Sequence, residues 1–362
     1  MKILKLIILA LFVGGVVWSM KFTRTVEGRD KSLDNNPIVA EDIAPTQPAQ
    51  TQAVTEAPTG FDNKTNGFIS QADFDAASDT FQEIEDLADG LGPTFNRDGC
   101  VVCHFVPVTG GSSDVTELRV GHFDGTNFRD PPGDSLIQEM ATDPAIKEVI
   151  PPGNEVQTKR ISINLLGAGF IEAIDSNTLR AIAVAQQIAT GGAIAGQLIS
   201  VPVLEAGGAL RTGRFGHKGQ HASLLSFSAD AYLNEMGITT RLLPVENTSN
   251  GNSVAAFDLT ADPEDSQEEN DIDAFASFMR ALKAPPRDTA QKATAAAQRG
   301  ASLFNQIGCA ICHIPTIQTA PPGTVINGGT FTVPPALGNK IIHNFGDLLL
   351  HNVGTGDGIV QE

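Results

Sequence analysis

Positive charge is scarce in this 362-residue chain, and cysteine and tryptophan are scarcer still. It has 24 lysines and arginines against 42 aspartates and glutamates, a formal net charge of −18, with four cysteines and one tryptophan. So acidic a balance argues against nucleic acid as a partner and favours a partner with a basic docking face. The length allows two domains of ordinary size.

Long hydrophobic runs are lacking as well. After two lysines the chain opens with an uncharged run of 13 residues, Leu6–Trp18. That length suits a secretory signal and falls short of the ~20 residues that a spanning helix needs. Val17 and Trp18 stand where a cleavage site needs small residues, so we interpret residues 1–30 as a signal peptide or an uncleaved anchor. Both interpretations predict a periplasmic location, with membrane contact only through an uncleaved N-terminal segment.

All four cysteines belong to two copies of one pattern, F-N-x-x-G-C-x-x-C-H, at Phe95–His104 and Phe304–His313. In C-x-x-C-H the two thiols form thioether bonds with haem vinyl groups, and the histidine binds the iron. We therefore expect two covalently bound c-type haems. Cys100 and Cys103 are predicted to attach the first haem, with His104 as its iron ligand. Cys309 and Cys312 are predicted to attach the second haem, with His313 as its iron ligand.

Two other chemistries use paired cysteines. C-x-x-C alone also suits half of a zinc site or a thiol redox pair. The trailing histidine favours haem, and the two copies lie 209 positions apart, farther than the ligand spacing usual within one zinc site. Zinc binding and dithiol chemistry remain as the alternative. No cysteine is left for a disulfide, although an exported protein could form one.

The pattern of apolar residues predicts a mainly α fold: two cytochrome c-like haem domains with a small β-hairpin in the middle region. We divide the chain into a disordered linker at 31–60, a first haem domain at 61–150, a middle region at 151–286 and a second haem domain at 287–362. Helices are predicted over residues 72–88, 136–146, 177–189, 220–236, 271–283 and 288–304. The hairpin is predicted at 197–215, and loops at 105–133 and 244–270.

One polar segment partly fits a calcium-binding loop. The matching residues are Asp62, Asn66, Gly67, Ile69 and Asp73. Lys64 stands at a ligand position, however, and no helix is predicted before the segment. The sequence therefore favours a polar turn, with possible calcium binding as the weaker interpretation.

With both motifs established, the chain resembles the bacterial di-haem oxidoreductase family, which is similar in layout to the di-haem cytochrome c peroxidases. The resemblance covers most of residues 61–362. The strings that carry it are Gly90–Asn96, Gly213–Gly216, Glu235–Thr239, Arg299–Asn305 and Asp347–His351. It implies that the first haem reduces hydrogen peroxide and that the second accepts electrons from a small donor cytochrome. A non-enzymatic electron carrier and a haem-dependent oxygenase remain as alternatives.

The chain departs from this family in two places. Relatives usually have tryptophan where this chain has His217, and Trp18 is the only tryptophan, so no inter-haem indole is expected to carry electrons. Only 49 residues follow His313. We therefore expect the second haem domain to be incomplete at its C-terminal end.

The resemblance also suggests roles for residues outside the two motifs. His122 lies 18 residues after His104. The di-haem peroxidases place a displaceable histidine at a comparable distance beyond their first haem, so the resemblance makes His122 the candidate sixth ligand of the first haem. His343 and His351 are weaker ligand candidates. Cleavage of peroxide needs a group that moves a proton between its oxygens. The candidates for that role are Glu235 and, as alternates, Arg214 and His217.

Overall fold

The computed structural model describes residue 42 and residues 53–262, 271–354 and 356–360. About 29% of the described residues are helical and 17% are in strands, with several small sheets. The prediction of a mainly α protein with two cytochrome c-like domains is therefore wrong. Strand pairing between distant segments replaces part of the expected helix, and such pairing leaves little trace in local sequence. The predicted signal and most of the predicted linker lie outside the described residues.

The described part of the chain contains eight α-helices: α1 (Gln71–Gln82), α2 (Cys100–Cys103), α3 (Ala168–Glu172), α4 (Ser176–Thr190), α5 (Leu224–Met236), α6 (Asp271–Ala281), α7 (Thr289–Lys292) and α8 (Ala295–Gln306). The predicted helices in which α4, α5 and α6 lie are confirmed. In this described part, each helix is too short or too polar to cross a bilayer.

The strands are short, apart from two. They are β1 (Thr55–Glu56), β2 (Thr94–Phe95), β3 (Thr116–Phe123), β4 (Phe128–Arg129), β5 (Leu136–Ile137), β6 (Met140–Ala141), β7 (Val156–Ile161), β8 (Ser200–Val203), β9 (Ala209–Thr212), β10 (Ile317–Gln318), β11 (Val325–Ile326), β12 (Phe331–Thr332) and β13 (Lys340–Ile342). The antiparallel pair β8 and β9 confirms the predicted hairpin.

The longest strand, β3, lies in the segment predicted to be loop. It pairs antiparallel with β7 over six residue pairs, and β4 and β5 also pair with it. The helix predicted over 136–146 is wrong too, because β5, β6 and a single 3-10 turn occupy that stretch. Its apolar residues recur at helical spacing, but Leu136 and Ile137 instead pair with β3 and become buried.

Two large apolar clusters form most of the core, and a small third one lies at the hairpin of β8 and β9. The first joins α1, α5 and α6, and its largest side chains are Phe74, Phe81, Tyr232, Phe275 and Phe278. The second joins α3 and α4 to strands near the second motif, with Phe170, Ile174, Leu179, Ile326 and Leu337 among its fully buried members. Helices from both 61–150 and 151–286 thus share one cluster, while the proposed division into domains stays a prediction.

Buried charges lie between the two clusters. The carboxylate of Glu172, with no exposed surface, accepts hydrogen bonds of 2.7 and 2.9 Å from the Arg280 guanidinium. Arg211, equally buried, pairs with Asp42 at 3.0 Å and donates to the Asn327 side chain at 2.7 Å. Because each charge has a partner, the desolvation cost is offset, and loss of either partner would leave a buried charge uncompensated.

The last residues of the predicted linker are ordered where the structure describes them. Strand β1 pairs in parallel with β13, and Ala57 is buried in the second cluster. The backbone N–H of Gly60 donates to Ala284 O at 3.0 Å. This segment therefore contacts the region of the second motif.

The C-terminal end of α5 is fixed closely against the first motif's leading strand. Gly237 ends the helix with φ +71°, and a Cβ there would lie 2.5 Å from Thr94 O. Only glycine combines that left-handed backbone with so close an approach. The neighbouring Asn96 N–H donates to Glu235 O at 2.7 Å, which places Glu235 beside the first motif.

Candidate functional site

The first C-x-x-C-H motif lies in the wall of a deep cleft. Helix α2 contains both cysteines, and His104 follows it directly. The cleft encloses roughly 1230 Å³, including space open to solvent at its mouth. The cysteines and the histidine of the motif therefore border one solvent-open cavity.

Gly99 allows α2 to lie against the end of α1. Its backbone is extended, and a Cβ would lie 2.7 Å from Glu83 O and 2.6 Å from the Ile84 side chain. Contacts this short are not tolerated without movement of the backbone. The glycine before Cys100 is therefore required by packing.

His104 is oriented as an iron ligand needs to be. Its Nδ1 lies 3.0 Å from Gly111 O, which leaves Nε2 as the ring nitrogen available to a metal. Burial lowers the pKa of His104, and the neutral imidazole it favours is the metal-binding form. The Phe81 ring centroid lies 6.3 Å from that of His104, and Phe81 lines the cleft.

The thiols of the first motif are poor thiolates. Burial raises the pKa of Cys100 to about 12 and, with the nearby Glu235 charge, that of Cys103 to about 11. Thiol–disulfide exchange requires the thiolate form. This environment argues against the dithiol alternative and is compatible with thiols that form thioether bonds to haem.

A charged wall faces the cleft from the sheet. Glu117 and Arg119 share one face of β3, and Arg160 on β7 is the direct cross-strand partner of Glu117. Arg119 Nε lies 3.1 Å from Glu117 Oε1, and Arg160 Nη1 lies 4.0 Å from the same oxygen. Two guanidinium groups thus lie beside the Glu117 side chain.

Glu235 enters the same cleft from α5. Asn96 Nδ2 donates to Glu235 Oε2 at 2.9 Å. Burial, and then the charge of Glu117, raises the pKa of Glu235 to about 8. Near neutral pH the Glu235 side chain is therefore mainly a protonated carboxyl group.

The structure brings two of the three predicted proton-transfer candidates into the cleft, Glu235 and His217. Arg214 lies elsewhere: its buried guanidinium donates to the backbone carbonyls of Ile174 and Ile171 at 2.6 and 3.4 Å. Burial, with the nearby Arg211 charge, lowers the pKa of Arg214 to about 9. Its contacts indicate a role in holding the end of α3.

His122, the predicted sixth ligand, is not part of the cleft lining. Its Nδ1 lies 2.8 Å from Glu155 Oε2 at the exposed end of β3. Side chains alternate between the faces of a strand, and His122 has the opposite parity to Glu117 and Arg119. The histidines that line the cleft besides His104 are His217 and His221, and His221 Nε2 pairs with Asp230 at 3.2 Å.

The second motif lies near the surface. Gly308 has φ +89° and turns the chain from α8 into the 3-10 turn Cys309–Ile311. His313 Nδ1 lies 3.0 Å from Phe345 O, which again leaves Nε2 available. The Phe304 ring centroid lies 6.2 Å from that of His313 and 6.1 Å from that of Phe345.

One group of potential metal ligands converges beside this motif. The ligand atoms of Cys312, Asp347 and His351 all lie within 4.8 Å of one another, the only such group found among the described residues. His351 Nε2 lies 2.6 Å from Asp347 Oδ2, and Gln186 Nε2 donates to the same oxygen at 2.6 Å. His343 instead lies 3.0 Å from Glu56 Oε2. Of these two candidate histidines, the structure brings His351 to the motif.

The residues of the possible calcium loop are engaged with the protein. Asp62 Oδ2 pairs with Lys283 Nζ at 2.8 Å. Asn66 Nδ2 donates to the carbonyls of Arg280 and Leu282 at 2.8 and 3.0 Å. The described contacts give calcium binding no support.

Sequence reasoning missed Glu117, Arg119, Arg160 and Phe81 as residues of the cleft. The signal for the first two was the alternation of charged residues within Thr116–Phe123, which is typical of one polar strand face. No local pattern identifies Arg160 or Phe81. They reach the cleft from β7 and α1, which only the fold brings together.

A family model described as "Di-haem oxidoreductase, putative peroxidase" matches residues 106–361, more than half of the 362-residue chain. The match begins two residues after His104 and includes the second motif. No curated protein and no solved structure gave a match.

Proposed function

Because the chain belongs to the di-haem oxidoreductase family, we propose that it is an exported cytochrome that reduces hydrogen peroxide with electrons from a small donor cytochrome. In this proposal both haems are of the c type and are attached covalently. Reduction of one peroxide to two waters consumes two electrons and two protons. The protein must therefore supply a path for electrons and a proton donor at the reacting haem.

The residues of both motifs suit bound haem. Cys100 and Cys103 would form the thioether bonds at the first, with His104 Nε2 toward the iron. At the second motif Cys309, Cys312 and His313 would do the same. The haem iron, when bound, supplies the redox chemistry, and the protein sets access and protonation.

One observation carries the most weight: in the cleft at the first motif, the buried Glu235 carboxyl group, whose pKa is raised to about 8, lies close to the Glu117–Arg119 ion pair. The Glu117 carboxylate, held by Arg119 at 3.1 Å, can accept a proton from bound peroxide. Glu235, with its raised pKa, holds a proton that it can donate to the departing oxygen.

Among the residues that the structure describes, no comparable acid pair faces an internal cleft at the second motif. Its ligand residues are partly exposed, and α8 beside it has no buried side chain. A haem at the surface suits electron exchange with another protein. We therefore assign peroxide reduction to the first haem and electron intake to the second.

Two measurements test this function on the full-length protein made in a host that exports and attaches haem. Intact mass should increase by two haems, and the Soret band should survive denaturation. The half-reduced protein should remove peroxide much faster than free haem. Two attached haems with no such activity would overturn the peroxidase assignment, and the absence of attached haem would overturn the c-type assignment.

A non-enzymatic electron carrier is the second candidate, because His217 and His221 line the same cleft as His104. A histidine bound on each side of the first iron would close it to peroxide. Electron paramagnetic resonance separates the two functions. One high-spin signal, present at rest or after half-reduction, supports the enzyme. Two low-spin ferric signals at rest, with only a low-spin signal left after half-reduction, support the carrier.

A further inference from the structure

One tyrosine lies beside the first motif, and the chain contains no other. Tyr232 lines the cleft together with Cys100 and His104. The residue is 1% exposed, and a haem bound in the cleft can only cover it further. Tyrosine, tryptophan and cysteine are the side chains that lose one electron most readily. The cysteines belong to the two motifs and Trp18 belongs to the predicted signal or anchor, so Tyr232 is the aromatic residue of this kind at the cleft.

The phenol of Tyr232 lies between two carboxyl groups. Its oxygen is 3.3 Å from Glu85 Oε1 and 3.2 Å from Asp271 Oδ2, and its O–H donates toward them. A buried tyrosine hydroxyl usually has a hydrogen-bond partner, and any acceptor can serve that structural purpose. A carboxylate can in addition take the proton as a base. The surroundings of the phenol therefore contain groups that can receive its proton.

The two carboxyl groups reach the phenol from different elements. The backbone N–H of Glu85 donates to Asp98 O at 2.8 Å, which fixes Glu85 two residues from the start of α2. The Glu85 charge, second to burial, raises the pKa of the Cys100 thiol, so Glu85 lies close to the site of haem attachment. Asp271 lies in the first turn of α6.

A line of packed rings joins His104 to Tyr232. The ring centroids of His104 and Phe81 lie 6.3 Å apart. The Phe275 ring continues the line, at 6.1 Å from Phe81 and 5.1 Å from Tyr232, with edge-on contacts on both sides. Phe81 and Phe275 are each buried. The residue that would bind the first iron is thus connected to the phenol through a continuous series of buried rings.

We propose that Tyr232 supplies one electron when peroxide reacts at the first haem before the second haem has been reduced. This inference rests on the proposed function and adds an electron source to the same site. The haem, when bound, supplies the oxidising power that it takes from peroxide. Tyr232 gives one electron to the oxidised haem and its phenolic proton to the carboxylate of Glu85 or Asp271.

The electrons and protons of this step balance. Tyr232 is oxidised by one electron and the haem is reduced by one. The phenol O–H bond breaks, the carboxylate becomes a carboxylic acid, and a neutral tyrosyl radical remains. An electron that arrives later through the second haem reduces the radical, and the carboxylic acid returns the proton to restore the O–H bond. Each peroxide still consumes two electrons and two protons in total, because Tyr232 regains what it gave up.

The test uses the full-length protein with both haems oxidised, mixed with an equimolar amount of hydrogen peroxide and frozen rapidly. Electron paramagnetic resonance should show a tyrosyl radical. Because the chain has one tyrosine, growth on ring-deuterated tyrosine labels Tyr232 alone and should narrow the hyperfine pattern. Tyr232→Phe keeps the ring and removes the hydroxyl, so the radical signal should be lost. The labelled wild-type protein carries the test by itself if this variant takes up no haem.

The two carboxylates are tested by E85Q/D271N. The amides still accept a hydrogen bond from the phenol but cannot take its proton. Radical formation, followed over a series of freezing times, should slow by about 10²-fold or more. Glu83→Gln is the matched control, because Glu83 is exposed and lies two residues before Glu85. This control should form the radical at the wild-type rate.

The possible failures are distinguishable. If the oxidised protein consumes peroxide without a radical, or with a radical that ring deuteration leaves unchanged, the assignment to Tyr232 is wrong and the peroxidase remains. The same holds if only the half-reduced protein reacts with peroxide. An equal slowing in Glu83→Gln would overturn the role of the two carboxylates. If neither redox state reacts with peroxide, the proposed function fails and this inference fails with it.

Discussion

The two copies of the ten-residue string share their letters but not their structure. Phe95 lies in strand β2 and is 6% exposed, whereas its counterpart Phe304 lies in helix α8 beside His313. At the first motif Phe81 from α1 takes that position. The rings of Phe81 and His104 lie 6.3 Å apart at 59°, and those of Phe304 and His313 lie 6.2 Å apart at 56°.

The repeated glycine and asparagine also serve different purposes. Gly99 is extended and is required because a side chain would strike Glu83 O, whereas Gly308 is required by its φ of +89°. Asn96 is buried and donates to Glu235, while Asn305 is exposed and donates to Ala301 O within its own helix. What the repeat encodes in common is the chemistry of its cysteines and histidine. Around that chemistry, the first motif lies in the wall of a cleft lined by charged side chains, and the second lies near the surface.

Of the variants that compare the two sites, Glu235→Gln should have the largest effect, a loss of peroxide reduction. It keeps the shape of the side chain but cannot donate a proton to peroxide, so kcat should fall by about 10²–10⁴-fold. Asp347→Asn, the corresponding change beside the second motif, should cost far less. Steady-state peroxide consumption measures both, with haem spectra to show that the cofactors are intact. Equal losses in the two variants would mean that the acid in the first cleft has no special role.

The pH dependence of peroxide reduction by the wild-type protein should show the titration of Glu235. Burial and the Glu117 charge raise the pKa of Glu235 to about 8, so the carboxyl group is protonated below that pH and loses its proton above it. The rate of peroxide reduction should therefore fall as pH rises through about 8. Because an unfolded glutamate titrates near 4.5, the folded state binds this proton more tightly, and stability should decrease between about pH 5 and 8.

Rates measured from pH 6 to 9.5 and urea unfolding at pH 5 and 8 check this pair of expectations. Glu235→Gln is the control, because it should lack both trends. If its alkaline decline matched that of the wild-type protein, another group would be responsible.

The variants Asn96→Ala and Asn305→Ala compare the asparagine of the ten-residue string in its two copies. Asn96 donates to Glu235 and accepts a 3.0 Å hydrogen bond from Glu139 N, so its loss leaves buried groups unpaired and should cost about 1–3 kcal/mol of unfolding free energy. Asn305 is exposed, and its replacement should stay within about 0.5 kcal/mol. Urea titration of the two variants tests the contrast. A larger loss for Asn305→Ala would show that the second site is the better packed of the two.

Gly300→Ala should have the smallest effect, and it should increase the free energy of unfolding. A Cβ at this position in α8 would meet no atom within 4 Å. Alanine restricts the unfolded chain and favours helix, so the variant should gain about 0.5–1 kcal/mol. The same titration measures it. A destabilised variant would show that the haem or another part of the protein covers this side of α8.

Three helices and the β-hairpin could be predicted from the sequence, whereas the cleft could not. Helices α4 and α5 have clear periodicity, and each ends at a glycine with positive φ, Gly191 and Gly237. These signals lie within a few residues of one another, so sequence alone reveals them.

The sheet and the far wall of the cleft depend on distant contacts. Strand β3 lies in a stretch rich in glycine, serine and proline, and its partner β7 begins 33 residues after it ends. Without that pairing, neither the position of Glu117 nor the outward direction of His122 could be predicted. Glu235 was identified through a resemblance, and its cleft partner Glu117 became visible only in the fold.

Strand β1 has a practical consequence for dissecting the protein. It is the parallel neighbour of β13, and the Ala57 that follows it is buried in the second apolar cluster. A fragment that starts at residue 287 would lack this strand and expose the backbone of β13 as a bare edge, which invites aggregation. Isolated C-terminal fragments should therefore include residues 53–60, either as a fused segment or as an added peptide.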